Sequence, residues 1–318
     1  MPLQYESAFS QAAGPAFERY MAAPKPALHD IEARRAMFKG ALNKNDQFPI
    51  PDGITRLMHY ATASDGHQIA IYHFRKTDQC SSGHHPAIVH IHGGGYFSFS
   101  AAHSTESLVE YVSRSGVQML SIEYRLAPEN PFPIPLEDCW TGLSWINSHA
   151  QSLNIDPQRI AIMGESAGGG LAANLVLLAR DRGLHPPLAK QFLIYPMLDD
   201  RTQQDTTEGL AFFTAEDCIT GWTAYLGDAV VGAEVVPPYA AAARNTNVEE
   251  LPELYIDCPQ LDILLPENLE HVRKFVDAKI PTEFHLYKGV PHGFTSLAPG
   301  APISKRAIDN RVLAMSTF

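Results

Sequence analysis

Up to about residue 45 the chain carries apolar residues at helical spacing. Ala16–Met21 and Ile31–Ala41 follow this period, and Pro24 and Pro26 interrupt it between them. No strand pattern appears there, and a helical preamble ahead of a sheet reads as a lid or cap. From Ile54 the period changes. Ile54–Ala61 and Gln68–Phe74 alternate across the turn Ser64-Asp65-Gly66, which predicts an antiparallel opening pair. Thr77–His85 is polar and reads as a loop. Short apolar runs follow at Pro86–Ile91, Val117–Ile122, Ile160–Met163, Phe192–Tyr195, Leu254–Ile256 and Glu283–Tyr287. Helical stretches separate or follow them: Ser104–Arg114, Pro135–His149, Ser166–Asp181, Glu267–Ala278 and Ile303–Met315. Strands alternating with helices predict an α/β fold, with a mostly parallel sheet covered on both faces.

One stretch breaks the rhythm. Residues 200–248 hold an acidic, threonine-rich start, then Phe212, Phe213, Trp222 and Tyr225 at roughly helical spacing, then an alanine run. This reads as an insertion between two late strands, with aromatics that either fill the core or face a pocket.

Composition narrows the function classes. Of 318 residues 45% are hydrophobic and 19% charged, enough apolar material for a large core. The net charge of −11 repels phosphate backbones and anionic lipid, so nucleic acid and electrostatic membrane binding are not expected. Cys80, Cys139, Cys218 and Cys258 lie far apart with no CxxC spacing, so all four are expected reduced, with Cys139 and Cys258 in the core. The N-terminus lacks a basic region followed by an apolar run, and no stretch is apolar long enough to span a bilayer. The expectation is a soluble cytoplasmic protein without integral membrane association.

The chemistry-bearing residues fall at strand ends. Gly164-Glu165-Ser166-Ala167-Gly168 fits G-x-S-x-G, preceded by an apolar run and followed by a helix-forming one. Such a turn exposes a serine Oγ above the sheet, and small residues two before and two after let strand and helix approach. The bland alternative is a glycine-rich turn with an incidental serine. His92-Gly93-Gly94-Gly95 follows the strand Pro86–Ile91, and its glycines can aim N–H groups at a developing oxyanion. Donation is assigned to Gly93, Gly94 and Ala167. The cluster His84, His85, His90 and His92 invites a metal reading, but it lacks the acidic partner such a site needs; His92 is expected to hold the loop, and neither a metal nor a cofactor is called for.

A serine needs a base. His292 sits in Gly289-Val290-Pro291-His292-Gly293-Phe294, after the last strand-like run and before the final helix. His271 is mid-helix and His285 mid-strand, where surface or packing roles are commoner. Asp262, just after the run Leu254–Cys258, is the expected acid; its alternative role is helix capping. Asp199 is the runner-up, and Asp257, inside the strand, is expected to point sideways.

With these pieces placed, the chain resembles the hormone-sensitive-lipase-like family of α/β-hydrolases over roughly residues 54–315. The resemblance rests on His92–Gly95, Tyr124-Arg125-Leu126-Ala127-Pro128-Glu129, Asp156-Pro157, Gly164–Gly169, Tyr195-Pro196 and Pro291–Phe294. It implies an eight-stranded α/β-hydrolase sheet with a helical cap. Residues 1–50 would form the N-terminal cap segment, residues 51–318 the catalytic domain, and residues 200–248 a second cap segment. It also implies Asp262 as triad acid, serine carboxylesterase activity and, at family level, a homodimer through the sheet edge; the cap aromatics suggest apolar esters with a short- to medium-chain acyl group. Two departures stand out. Asp262-Ile263-Leu264-Leu265-Pro266-Glu267 lacks the family's usual proline and second aspartate, and Phe99 replaces a common glycine. Phe99 would narrow the pocket, and Glu165 would either bond the oxyanion loop or serve the scaffold. Arg125 and Glu129 read as scaffold groups. The expected pocket is Tyr96, Phe99, Glu165, Phe212, Phe213 and Trp222. Two rival readings stand beside esterase: a lactonase, amidase or acyltransferase using the same groups, and a catalytically idle binding protein for a small molecule.

Overall fold

The computed structural model describes residues 2–42, 48–80 and 83–318. Eight strands form one sheet: β1 (Ile54–Thr62), β2 (Gln68–Lys76), β3 (His85–Ile91), β4 (Gln118–Ile122), β5 (Ile155–Glu165), β6 (Lys190–Ile194), β7 (Glu253–Leu261) and β8 (Thr282–Pro291). Their spatial order is β1-β2-β4-β3-β5-β6-β7-β8. β1, β2 and β4 pair antiparallel, and every later pairing is parallel. The α/β-hydrolase sheet expected from the sequence is therefore the one observed.

The helices are α1 (Ser7–Ala22), α2 (Ile31–Leu42), α3 (Thr105–Ser115), α4 (Ile134–Ser148), α5 (Ala167–Asp181), α6 (Ala215–Leu226), α7 (Leu265–Asp277), α8 (Phe294–Leu297) and α9 (Pro302–Ser316). The central strands are buried on both faces. Ala87, Val89 and Ile91 of β3 join one apolar layer with α4 and α5, while Ile88 joins a second with α3 and α9. This period-two partition explains why the strands read as nearly continuous apolar runs. Cys139, Cys218 and Cys258 are buried free thiols, as expected; the side chain of Cys80 lies outside the described residues. Among the described residues, no helix is long and apolar enough to cross a membrane.

The N-terminal helices and the 200–248 stretch meet each other. Tyr20 and Phe17 stack on Phe212, and the Tyr5 hydroxyl donates to the Leu210 carbonyl. Arg34 of α2 pairs with Asp217 of α6, both side chains fully buried. Asp217 also accepts from the Thr214 N–H at 2.9 Å, and burial lifts its carboxyl above the usual carboxylate range despite these partners. Removing one member of a buried pair strands the other charge, so Arg34→Met should cost about 3–5 kcal/mol. Adding Asp217→Asn, which keeps the cap on α6, should recover most of that loss. Thermal unfolding of the single and double variants checks this, and equal loss in both would contradict it.

Candidate active site

The residues that carry chemistry all leave the carboxyl ends of parallel strands, where ligands bind in open α/β sheets. Register brings them together. Ile91 of β3 lies opposite Gly164 of β5, which sets the glycine loop beside the serine turn. Leu261 of β7 lies opposite Pro291 of β8, which sets Asp262 beside His292.

Ser166 adopts φ 54° and ψ −122°, a conformation that L residues avoid. The surroundings hold it there. Its N–H donates to Ile194 O at 2.9 Å, and its carbonyl accepts from Met197 N at 2.9 Å. A Cβ at Gly164 would lie 2.2 Å from Gly168 O, and one at Gly168 2.2 Å from Ile91 O. Both glycines are therefore required by close backbone approach. α5 starts at Ala167, directly after Ser166, so its unpaired first N–H groups face the serine.

His292 Nε2 lies 2.9 Å from Ser166 Oγ, and His292 Nδ1 lies 2.7 Å from Asp262 Oδ2. A carboxylate only accepts, so Nδ1 carries the proton and Nε2 is left as acceptor for the serine hydroxyl. Asp262 is fully buried, and its Oδ1 accepts from Leu264 N at 3.0 Å. It thus bonds the local turn as well as His292. Tyr195 and Phe213 pack on the imidazole, with centroids at 4.6 and 5.2 Å. The runner-up Asp199 is held elsewhere, by the Arg201 guanidinium at 2.6 and 2.8 Å. Asp257 does turn sideways, into a bidentate pair with Arg311 at 2.7 and 2.9 Å.

Gly93 and Gly94 line the cavity beside Ser166. Gly94 has φ 122°, and a Cβ there would lie 2.0 Å from Ser98 O, so only glycine makes this turn. His92 stacks on Tyr124 at 4.2 Å and bonds Gly93 O through Nδ1 at 2.8 Å, the loop-holding role expected of it. His90 is engaged by Ser121 Oγ and Glu165 Oε2, each at 2.8 Å. Among the described residues no group of three or more His, Cys, Asp or Glu is placed to hold a metal. Arg125 forks onto Asp138, and Glu129 pairs with Arg35 of α2, so both act in the scaffold. Glu267, buried in α7, accepts from Leu198 N and Thr202 Oγ1, and burial lifts its carboxyl to about 8.

One cavity of about 540 Å³ contains Ser166 and His292. Of the expected pocket residues, Phe99, Glu165 and Phe212 line it. Tyr96, Phe213 and Trp222 are not among the residues that line it. Tyr96 is fully buried, stacked at 4.2 Å on Tyr225 and at 5.1 Å from Trp222. These rings fill the space behind the glycine loop, where α6 comes so close that a Cβ on Gly221 would lie 2.7 Å from Gly95 O. Phe213 reaches His292 but not the cavity wall. Sequence reading missed Phe38 of α2 and the groove between α3 and α9; neither carries a motif. Phe99 has φ 68°, so the position keeps a backbone that favours the glycine it replaces.

Comparison with known proteins agrees with this fold. A family profile described as α/β-hydrolase fold matches residues 88–296. The carboxylesterase NlhH of Mycobacterium tuberculosis is 30% identical over 234 residues, 72% of this chain and 73% of that one. An ethyl acetate hydrolase of Pseudomonas putida is 27% identical over 273 residues, 85% of each chain. The solved structure of a bacterial heroin esterase superposes with a TM-score of 0.87 at 32% identity, covering 96% of each chain. With serine turn, glycine loop, histidine and aspartate on the matched strands, the chain belongs to the α/β-hydrolase-fold family of hormone-sensitive-lipase-like enzymes.

Proposed function

We propose that the chain is a serine carboxylesterase. The observation that carries this reading is the unbroken hydrogen-bond chain Ser166 Oγ–His292–Asp262, buried in a ligand-sized cavity. The relatives reported above are named as esterases or ester hydrolases, which supports the same chemistry.

In the proposed mechanism His292 Nε2 takes the Ser166 proton as Oγ attacks the ester carbonyl. Gly93, Gly94 and Ala167 donate N–H groups to the oxyanion. Asp262 stabilises the imidazolium, which then protonates the leaving alcohol oxygen. Water, deprotonated by the same imidazole, attacks the acyl-enzyme and releases the acid and free serine. No metal or cofactor takes part. Residues 1–50 and 200–248 serve as the cap.

Phe38, Phe99 and Phe212 give the cavity an apolar wall near Ser166, which favours a short to medium apolar acyl group. Hydrolysis of p-nitrophenyl esters from acetate to palmitate tests this. Activity should peak at short to medium chains and fall steeply beyond. A folded protein inactive on the whole series would remove the carboxylesterase reading, and a peak at palmitate would remove the proposed chain-length limit.

A further inference from the structure

Among the described residues, the Phe and Tyr side chains that line the cavity are Phe38, Phe99, Tyr111, Tyr195 and Phe212. Phe38, Tyr111, Tyr195 and Phe212 are each no more than 6% exposed, whereas Phe99 is only partly buried. The aromatic surface open to a substrate therefore belongs mainly to Phe99. Its backbone holds φ 68°, in the left-handed region that a bulky side chain enters at a cost. Phe97 N and Ser98 N both donate to Gly94 O, at 3.2 and 2.9 Å, and this closed turn brings Phe99 back against Gly94. A Cβ on Gly94 would lie 3.0 Å from Phe99 Cδ2, and one on Gly93 3.4 Å from Ser166 Cβ. The ring thus stands beside the glycine loop that flanks the serine. Neighbouring rings hold it. Phe38 of α2 stacks on it at 6.4 Å, and His103 lies at 5.5 Å. Phe38 in turn packs on Phe97 at 5.8 Å and on Phe213 at 6.2 Å.

We propose that Phe99 is the specificity-determining residue of the site, its ring setting the length of chain an ester can carry. This rests on the carboxylesterase reading. The ester carbonyl must reach Ser166 Oγ with its oxygen at the Gly93 and Gly94 N–H groups, so the reacting carbon is fixed close to the ring. A chain that grows past Gly94 runs into it. A side chain free to rotate would yield, but one packed against Phe38 and His103 cannot leave its rotamer without losing those contacts. The other aromatics are already covered, so trimming them opens space in the packing rather than lengthening the cavity. Glycine would suit φ 68° better than phenylalanine does, so the ring is present at a backbone cost, and a role in shaping the site accounts for it.

The test measures kcat/KM for wild type, Phe99→Gly and Phe99→Trp on two ester series. p-Nitrophenyl esters from acetate to palmitate lengthen the acyl group, and alkyl acetates from ethyl to octyl lengthen the alcohol. Within each protein the value for a long ester is divided by that for the shortest, so a general loss of activity cancels. Phe99→Gly should raise this ratio about 10-fold or more for octanoate over acetate, or for octyl over ethyl acetate, according to which arm of the ester meets the ring. Phe99→Trp should lower the ratio in the same series. A wild type that peaks at short chains, with ratios unmoved by Phe99→Gly in both series, overturns the proposal and leaves the carboxylesterase reading standing. Should Phe99→Gly fail to fold, unchanged ratios in Phe99→Trp overturn it equally. A wild type inert on every ester removes the carboxylesterase reading itself, and a wild-type peak at palmitate removes the length limit together with its assignment to Phe99.

Discussion

Replacing Ser166 with alanine should abolish ester hydrolysis, lowering kcat by about 10⁴- to 10⁶-fold while the protein stays folded. The substitution removes only Oγ. The backbone contacts that hold the turn, from Ser166 N to Ile194 O and from Met197 N to Ser166 O, remain. Alanine at φ 54° carries much the same strain as serine, so the melting temperature should hardly move. Substrate should still bind, because the cavity wall is otherwise unchanged. Stopped assays on matched amounts of folded wild-type and variant protein read the outcome. Full activity in the variant would exclude Ser166 as nucleophile and with it the whole proposed mechanism.

Asp262→Asn is the second large effect, with kcat expected to fall about 10⁴-fold and KM little changed. The cause is the imidazole tautomer. An asparagine amide can present N–H to Nδ1, which moves the ring proton to Nε2, and Nε2 can then no longer accept from Ser166. The imidazolium formed on attack also loses its buried counter-charge. Asp199→Asn is the matched control, since Asp199 is bound to Arg201 and away from His292. It should leave kcat within about 3-fold, because the carboxylate of Asp199 is bonded to Arg201 and to neither His292 nor Ser166. If the two variants traded places, Asp199 would be the acid.

Much of this protein could be read from the chain. The period of the apolar runs gave every strand of the sheet and the antiparallel start, because burial on both faces leaves little freedom in a central strand's composition. The serine turn was legible because its backbone demands glycines at fixed offsets. The acid was legible as Asp262, with Asp199 as runner-up, both after a strand. Pairing partners across strands do not show in sequence, and the β7–β8 register is what brings Asp262 to His292.

The pocket was the least legible part. Phe212, Phe213, Trp222 and Tyr225 share one aromatic stretch, yet only Phe212 lines the cavity, while Trp222 and Tyr225 pack behind the glycine loop. Phe212 and Phe213 precede α6 and its cap Thr214, while Trp222 and Tyr225 lie on the helix, so the four do not share one helical face. The close approach of Gly221 to Gly95 O sets α6 against the glycine loop. The cavity likewise takes lining residues from α3 and α9, two segments almost two hundred residues apart. By itself, then, the sequence determined the fold, the serine turn and the glycine loop, because each is a local backbone requirement written in adjacent residues. Only the tertiary structure decided which aspartate meets the histidine, which aromatics see the cavity and which distant helices line it, because these depend on distances between segments that no local pattern encodes.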